Sequence, residues 1–157
     1  MNRDFVEMLS ALSETGVEFL VVGAHALAVH ARPRATGDLD LWVRPTAENA
    51  ARVLSALSRF GAPLNDISAD DFETPNRVLQ LGVVPNRIDL LTSITGVTFG
   101  DAWPRRKVVS IEGLAVPVLG RVDLIENKRA TDRPQDRADL ELLGVSESSR
   151  DMPPSSP

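Results

Sequence analysis

Apolar positions recur along the chain with two different periods. Phe5, Met8, Leu9 and Leu12 follow the three-to-four spacing of a helix with one buried face, within an amphipathic stretch over residues 1–13 that Gly16 brings to a stop. Residues 17–22 form a short valine-rich run that reads as a buried strand, closed by Gly23. The small residues of 24–31 suit a tightly packed helix, and 32–37 form a loop by their proline and glycine. Residues 38–43 then alternate acidic and apolar, the period of a strand. Thr46 is a plausible cap for a helix running to about Phe60, with Ala50, Val53, Leu54 and Leu57 on its apolar face.

The second half follows the same two periods. Residues 65–76 are polar and acidic and predict a loop with one helical turn at most. Residues 78–84 and 87–92 predict a hairpin around Pro85-Asn86, and 107–111 with 114–119 predict another around Glu112-Gly113. A short helix is expected over 99–103. Two longer ones are expected over 121–130 and 135–143, separated by Asp132-Arg133-Pro134. After Gly144 the composition shifts to Ser, Pro, Glu and Asp, which cannot bury apolar surface. The expected organisation is one domain over 1–144 and a disordered tail over 145–157.

Composition narrows the chemistry. Of 157 residues, 43% are apolar, enough for a core, and no apolar run is long enough to span a bilayer. The N-terminus lacks the basic start and apolar stretch of a signal peptide. The absence of cysteine excludes disulfides, thiolate zinc sites and cysteine nucleophiles, and accords with a reducing cytoplasm, the expected location. With two histidines, His25 and His30, a metal site must rest on oxygen ligands, which favour Mg, Mn or Ca. A net charge of −5 weighs against a nucleic-acid-binding surface over the whole molecule and leaves room for a local basic patch.

The alternating strand is the centre of that chemistry. Residues i and i+2 of a strand share a face, so Asp38 and Asp40 project side by side while Leu39 and Leu41 enter the core. Two carboxylates this close repel unless a positive charge lies between them. One reading is a divalent cation; the other is two solvated acids at a strand start. Upstream, Gly23 ends a strand and opens a helix, a turn that brings backbone close to a ligand and points N–H groups at a phosphate, or else a glycine serving geometry alone. Asp89 sits inside the apolar run Ile88-Asp89-Leu90-Leu91 and requires a partner. Should its strand neighbour that of Asp40, three carboxylates converge, as in sites that hold two divalent ions for in-line attack at phosphorus. The alternative is an ion pair from Asp89 to Arg87 or Arg105.

Taken in order, Val22-Gly23-Ala24-His25, Gly37-Asp38-Leu39-Asp40-Leu41 and Ile88-Asp89-Leu90 resemble the DNA polymerase β-like nucleotidyltransferase superfamily, with its Gly-Gly or Gly-Ser turn, Asp-x-Asp strand and third Asp on a neighbouring strand. Leu124-Ile125-Glu126-Asn127-Lys128-Arg129-Ala130 and Arg133-Pro134-Gln135-Asp136-Arg137-Ala138-Asp139-Leu140 are similar to the last two motifs of the AbiEii-like toxin and minimal nucleotidyltransferase branch. The resemblance covers roughly residues 19–143. It implies an α/β (α+β) fold, a small mixed β-sheet flanked by helices.

It further implies metal ligation (Mg2+ or Mn2+) by Asp38, Asp40 and Asp89, and triphosphate contact by Lys128. Asp139, or second to it Asp136, would be a base or organiser. The alternative for Asp136 and Asp139 is pairing with Arg133 or Arg137. Ala24 stands where the superfamily has Gly or Ser, keeping the N–H but lacking a hydroxyl. His25 either takes over phosphate contact or has no role. Arg32 and Arg34, on the loop before the metal strand, are candidates to clamp phosphates, with Arg44, Arg105, Arg106, Lys107 and Arg129 nearby, and Trp42 and Trp103 read as packing residues. The implied reaction moves an NMP from an NTP to an acceptor hydroxyl, on tRNA or protein in the toxin branch, with an antitoxin as the analogous partner. The alternatives are an inactive nucleotide-binding or interaction module of the same fold and a small-molecule (antibiotic) nucleotidyltransferase.

Overall fold

The computed structural model describes residues 1–32 and 37–145. Within them the chain runs α1 (Arg3–Glu14), β1 (Phe19–Val22), α2 (Gly23–His30), β2 (Leu39–Val43), α3 (Ala47–Phe60), α4 (Asp70–Glu73), β3 (Val78–Leu81), β4 (Ile88–Leu91) and α5 (Phe99–Ala102). A 3-10 turn (Trp103–Arg105), β5 (Lys107–Ile111), β6 (Leu114–Val118), α6 (Arg121–Thr131) and α7 (Pro134–Leu142) complete it. Every predicted helix and strand is present. The predicted loop over 32–37 falls partly, and the predicted tail almost wholly, outside the described residues.

The six strands form one mixed sheet in the order β3-β4-β2-β1-β6-β5. β1 runs antiparallel to β2 and parallel to β6; β2 runs parallel to β4. The two predicted hairpins form the edges, β3 against β4 and β5 against β6. The first hairpin is shorter than its apolar run predicts. Gly82, at φ +81, turns the chain out of the ladder, so Val83 and Val84 end up exposed at the tip. α7 begins at Pro134 itself, where the missing N–H of proline is no loss in a first helical turn.

The strands of the site are buried from both sides. Leu39, Leu41 and Val43 are fully buried on one face of β2, and Trp42 on the other packs edge-on against Phe99. α3 lays Ala50, Val53, Ala56 and Leu57 into the core, each fully buried, and Thr46 caps it by accepting from the Asn49 N–H. Asn49 is buried and bonds both chain segments beside it, accepting from the Glu18 N–H and donating to the carbonyls of Glu18 and Arg44. That clamp fixes where β1 starts and β2 ends, and through them the register of the strand that carries Asp40. Among the described residues no helix is long and apolar enough to cross a membrane.

Candidate active site

β1 stops at Val22 and α2 starts at the next residue. That turn requires φ +67 at Gly23, a conformation other residues adopt only with strain. Space demands glycine too. A Cβ at residue 23 would collide with Asp40 Oδ2 and sit 3.2 Å from its Cγ. The close approach inferred for Gly23 from sequence is therefore made, in this structure, by the Asp40 carboxylate. Gly23→Ala is expected to lower stability by about 2 kcal/mol through the combined strain and overpacking. Thermal unfolding checks this, and an unchanged Tm would mean that the turn tolerates a side chain. No side chain caps α2, so the N–H groups of its first turn open beside Asp40.

The carboxylates meet through the sheet. Asp40 of β2 and Asp89 of β4 are register partners on adjacent parallel strands. Burial, above all, pushes the Asp40 carboxyl up to about 6, reinforced by the charge of Asp89, a hydrogen bond shared with it and the charge of Asp38, with Arg87 pulling the other way. Asp38 lies just before β2 and is engaged differently. Arg87 Nη2 reaches Asp38 Oδ2 at 3.1 Å, and the Arg87 main-chain N–H donates to Asp38 Oδ1 at 3.2 Å. The same guanidinium donates to both oxygens of Asp89, at 2.9 and 3.3 Å. The alternative partner read for Asp89, Arg87, is thus in place, and Arg105 is not; it binds Asp123 bidentately.

The donor set suits a hard divalent cation in type and register. Asp40 holds its proton more tightly than a free carboxyl because it is buried and because Asp89 and Asp38 lie beside it, and a divalent cation would relieve both. The expected three-carboxylate convergence is only partly met. Among the described residues no three acidic or histidine side chains are gathered as a ready metal nest, and Arg87 bridges two of the three candidates.

A cleft of about 280 Å³ opens from Val22, Gly23 and Asp40 across to Asn127, Lys128 and Arg133. Lys128 is buried, with Nζ 3.0 Å from Asp139 Oδ2 and 3.4 Å from Asp136 Oδ1. Burial pushes the Asp136 carboxyl up. It is outweighed by hydrogen bonds from the Arg133 side chain, the Thr131 hydroxyl and the Arg133 main chain, and by Lys128, which together hold it well below the usual range. Asp139 accepts from Gln135 and pairs with Lys128, and of these two acids and their lysine only Lys128 lines the cleft. The pairing weighed for Asp136 is made with Arg133, while Arg137 pairs with Asp132.

Other candidates fall elsewhere. His25 lies on the far side of α2, its ring edge-on to Phe5 at 5.7 Å, in a separate pocket with Gly37 and Asn86. Burial lowers its pKa, with a hydrogen bond to the Gly37 main chain partly offsetting, and the ring does not line the Asp40 cleft. Ala24 is half-buried and outside the cleft wall. Arg34 lies outside the described residues. Arg44 is held by Glu18 and the Phe99 ring, and Arg106 stacks over Trp103 at 4.0 Å. The cation that sequence reasoning missed is Arg133. Asp132-Arg133-Pro134 reads as a mere breaker between helices, yet Arg133 lines the cleft, with its guanidinium bound to both oxygens of Asp136.

A solved structure from Thermotoga maritima, described as that of a candidate nucleotidyltransferase, shares the fold, with a TM-score of 0.60 and 16% identity over 88% of this chain and 89% of that one. No curated protein matches the chain. The sheet of mixed direction flanked by helices is thus a nucleotidyltransferase fold. A family profile covers residues 1–151, nearly the whole sequence, and the chain belongs to that family, the nucleotidyl transferases of unknown function, DUF2204.

Proposed function

We propose that the chain transfers a nucleoside monophosphate from an NTP to an acceptor hydroxyl and releases pyrophosphate, with Asp40, Asp89 and Asp38 as ligands for magnesium or manganese. One observation carries this reading: Asp40, packed beneath the Gly23 turn in the wall of a cleft that Lys128 also lines, has Asp89 as its register partner on the adjacent strand. A divalent cation held there supplies charge neutralisation for the phosphates and a lowered pKa for the acceptor hydroxyl. The N–H groups of the first turn of α2 donate to a phosphate, main chain only, since Ala24 has no hydroxyl to add. Lys128 and Arg133 set positive charge on the facing wall, where a polyphosphate requires it. The AbiEii-like motifs around Lys128 and Asp139 favour an RNA or protein acceptor, and with it a cognate antitoxin as partner.

The test is incorporation of label from each of the four NTPs into a panel of tRNA, protein and small hydroxyl compounds, with magnesium and with EDTA. Transfer that EDTA abolishes supports the reading. No NTP binding and no transfer to any acceptor would sink it. A second reading is favoured by Ala24 and by the Arg87 bridge across Asp38 and Asp89: a nucleotide-binding module of the same fold without turnover. Calorimetric NTP binding with no transfer across the panel is its signature.

A further inference from the structure

Arg87 contacts every carboxylate oxygen of Asp38 and Asp89. Its main-chain N–H donates to Asp38 Oδ1, its Nη2 donates to Asp89 Oδ2 and its Nε to Asp89 Oδ1, while Nη2 also forms an ion pair with Asp38 Oδ2 at 3.1 Å. Asp40 receives no hydrogen bond from this arginine. One guanidinium thus binds two of the three carboxylates and acts on the third through its charge alone. A guanidinium stays charged at any pH a protein survives, so it gives up these oxygens only by moving.

It is placed to move. The Arg87 main chain is fixed, its carbonyl accepting from the Leu39 N–H at 3.0 Å and its N–H bound to Asp38. The side chain, by contrast, is 29% exposed, against 17% for Asp38 and 11% for Asp89, so the cation has the more open side to solvent. Arginine and aspartate sit at i and i+2 of one chain segment, on one face by strand periodicity, so the contact is built into the local sequence Arg87-Ile88-Asp89.

We propose that Arg87 is an internal counter-ion that latches the carboxylate site in the metal-free chain, and that a divalent cation enters by displacing its guanidinium from Asp38 and Asp89. The inference rests on the metal-binding reading given above and adds a regulatory residue to it. Metal loading is an exchange of one cation for another, and the latch lowers the apparent metal affinity while it offsets the mutual repulsion of the carboxylates.

Manganese is the probe, with the full chain titrated and free Mn2+ followed by electron paramagnetic resonance in wild type, Arg87→Gln and Asp40→Asn. Arg87→Gln is expected to bind Mn2+ at least about tenfold tighter than wild type, the low end of what a unit charge in contact does to a neighbouring carboxylate equilibrium. In wild type, the Arg87 Nε–Hε resonance, held in place by Asp89, is expected to shift and lose its protection from solvent exchange when Mg2+ is added. Equal Mn2+ affinity in wild type and Arg87→Gln, with Asp40→Asn binding none, overturns the latch and leaves the metal site standing. So does a protected Arg87 resonance that persists at saturating metal. Absence of Mn2+ binding in both wild type and Arg87→Gln overturns the latch together with the metal reading. Binding in Arg87→Gln alone supports the latch in its strongest form.

Discussion

Asp40→Asn is expected to make the metal-free chain more stable above about pH 7 and at the same time to abolish nucleotidyl transfer. The two effects have one origin. In the unfolded chain the Asp40 carboxyl titrates near its ordinary value of 3.8; in the fold, burial and the neighbouring carboxylates raise it to about 6. Between those values the folded chain binds the proton more tightly than the unfolded chain does, so this group's contribution falls as pH rises through the window, and the full penalty is present above it. A shift of this size on a group that keeps some solvent contact corresponds, after discounting for screening, to about 1–2 kcal/mol.

Asparagine has nearly the same shape, fits the same space beside Gly23 and carries no charge. In urea denaturation with EDTA, wild type and Asp40→Asn should match near pH 4 and diverge by that amount near pH 8, with the variant the more stable. Added magnesium should stabilise wild type and leave the variant unmoved. Transfer by the variant should fall by at least about a thousandfold, the scale on which members of a catalytic unit act. A variant less stable than wild type at pH 8 would show that Asp40 is held by favourable partners and not by an unmet need for positive charge.

Much of the site was legible because its signals are local. The alternation over residues 38–43 predicts a strand with both acids on one face, and β2 has that form with Leu39 and Leu41 buried opposite. Thr46 and the apolar spacing after it predict α3, and the two hairpins follow from their turn residues. The pairing of β2 with β4 is different in kind. These strands are parallel, 45 or so residues apart and joined by helices, and no short-range rule assigns that neighbour. The superfamily resemblance supplied it.

The position of His25 was not legible for the same reason. A helix of small residues such as α2 has no apolar stripe to declare its rotation, and what turns His25 away from the cleft is Phe5, from an element two positions back in the chain. Arg87 was visible only as one of two partners for Asp89. That it also takes both oxygens of Asp38 depends on β2 and β4 lying side by side.

Lys128→Met is expected to lower stability by about 3 kcal/mol, because it leaves a buried carboxylate without its cation. Lys128 Nζ joins α6 to α7 through Asp136 and Asp139, both essentially inaccessible. Asp136 retains the Arg133 bonds that cap α7, so the loss falls on Asp139, which keeps the Gln135 amide. Methionine preserves the apolar stem and its packing, so the measured loss reports charge and not a cavity. Combining Lys128→Met with Asp139→Asn separates the two roles open to this lysine. The double variant should recover about 1–2 kcal/mol relative to the sum of the single losses, the coupling expected for a contacting pair. NTP affinity, read by calorimetry on the folded double variant, should stay as low as in Lys128→Met, because the cation facing the Gly23 turn is absent in both. Restored stability with restored NTP affinity would make Lys128 a strut between helices and remove it from the nucleotide site.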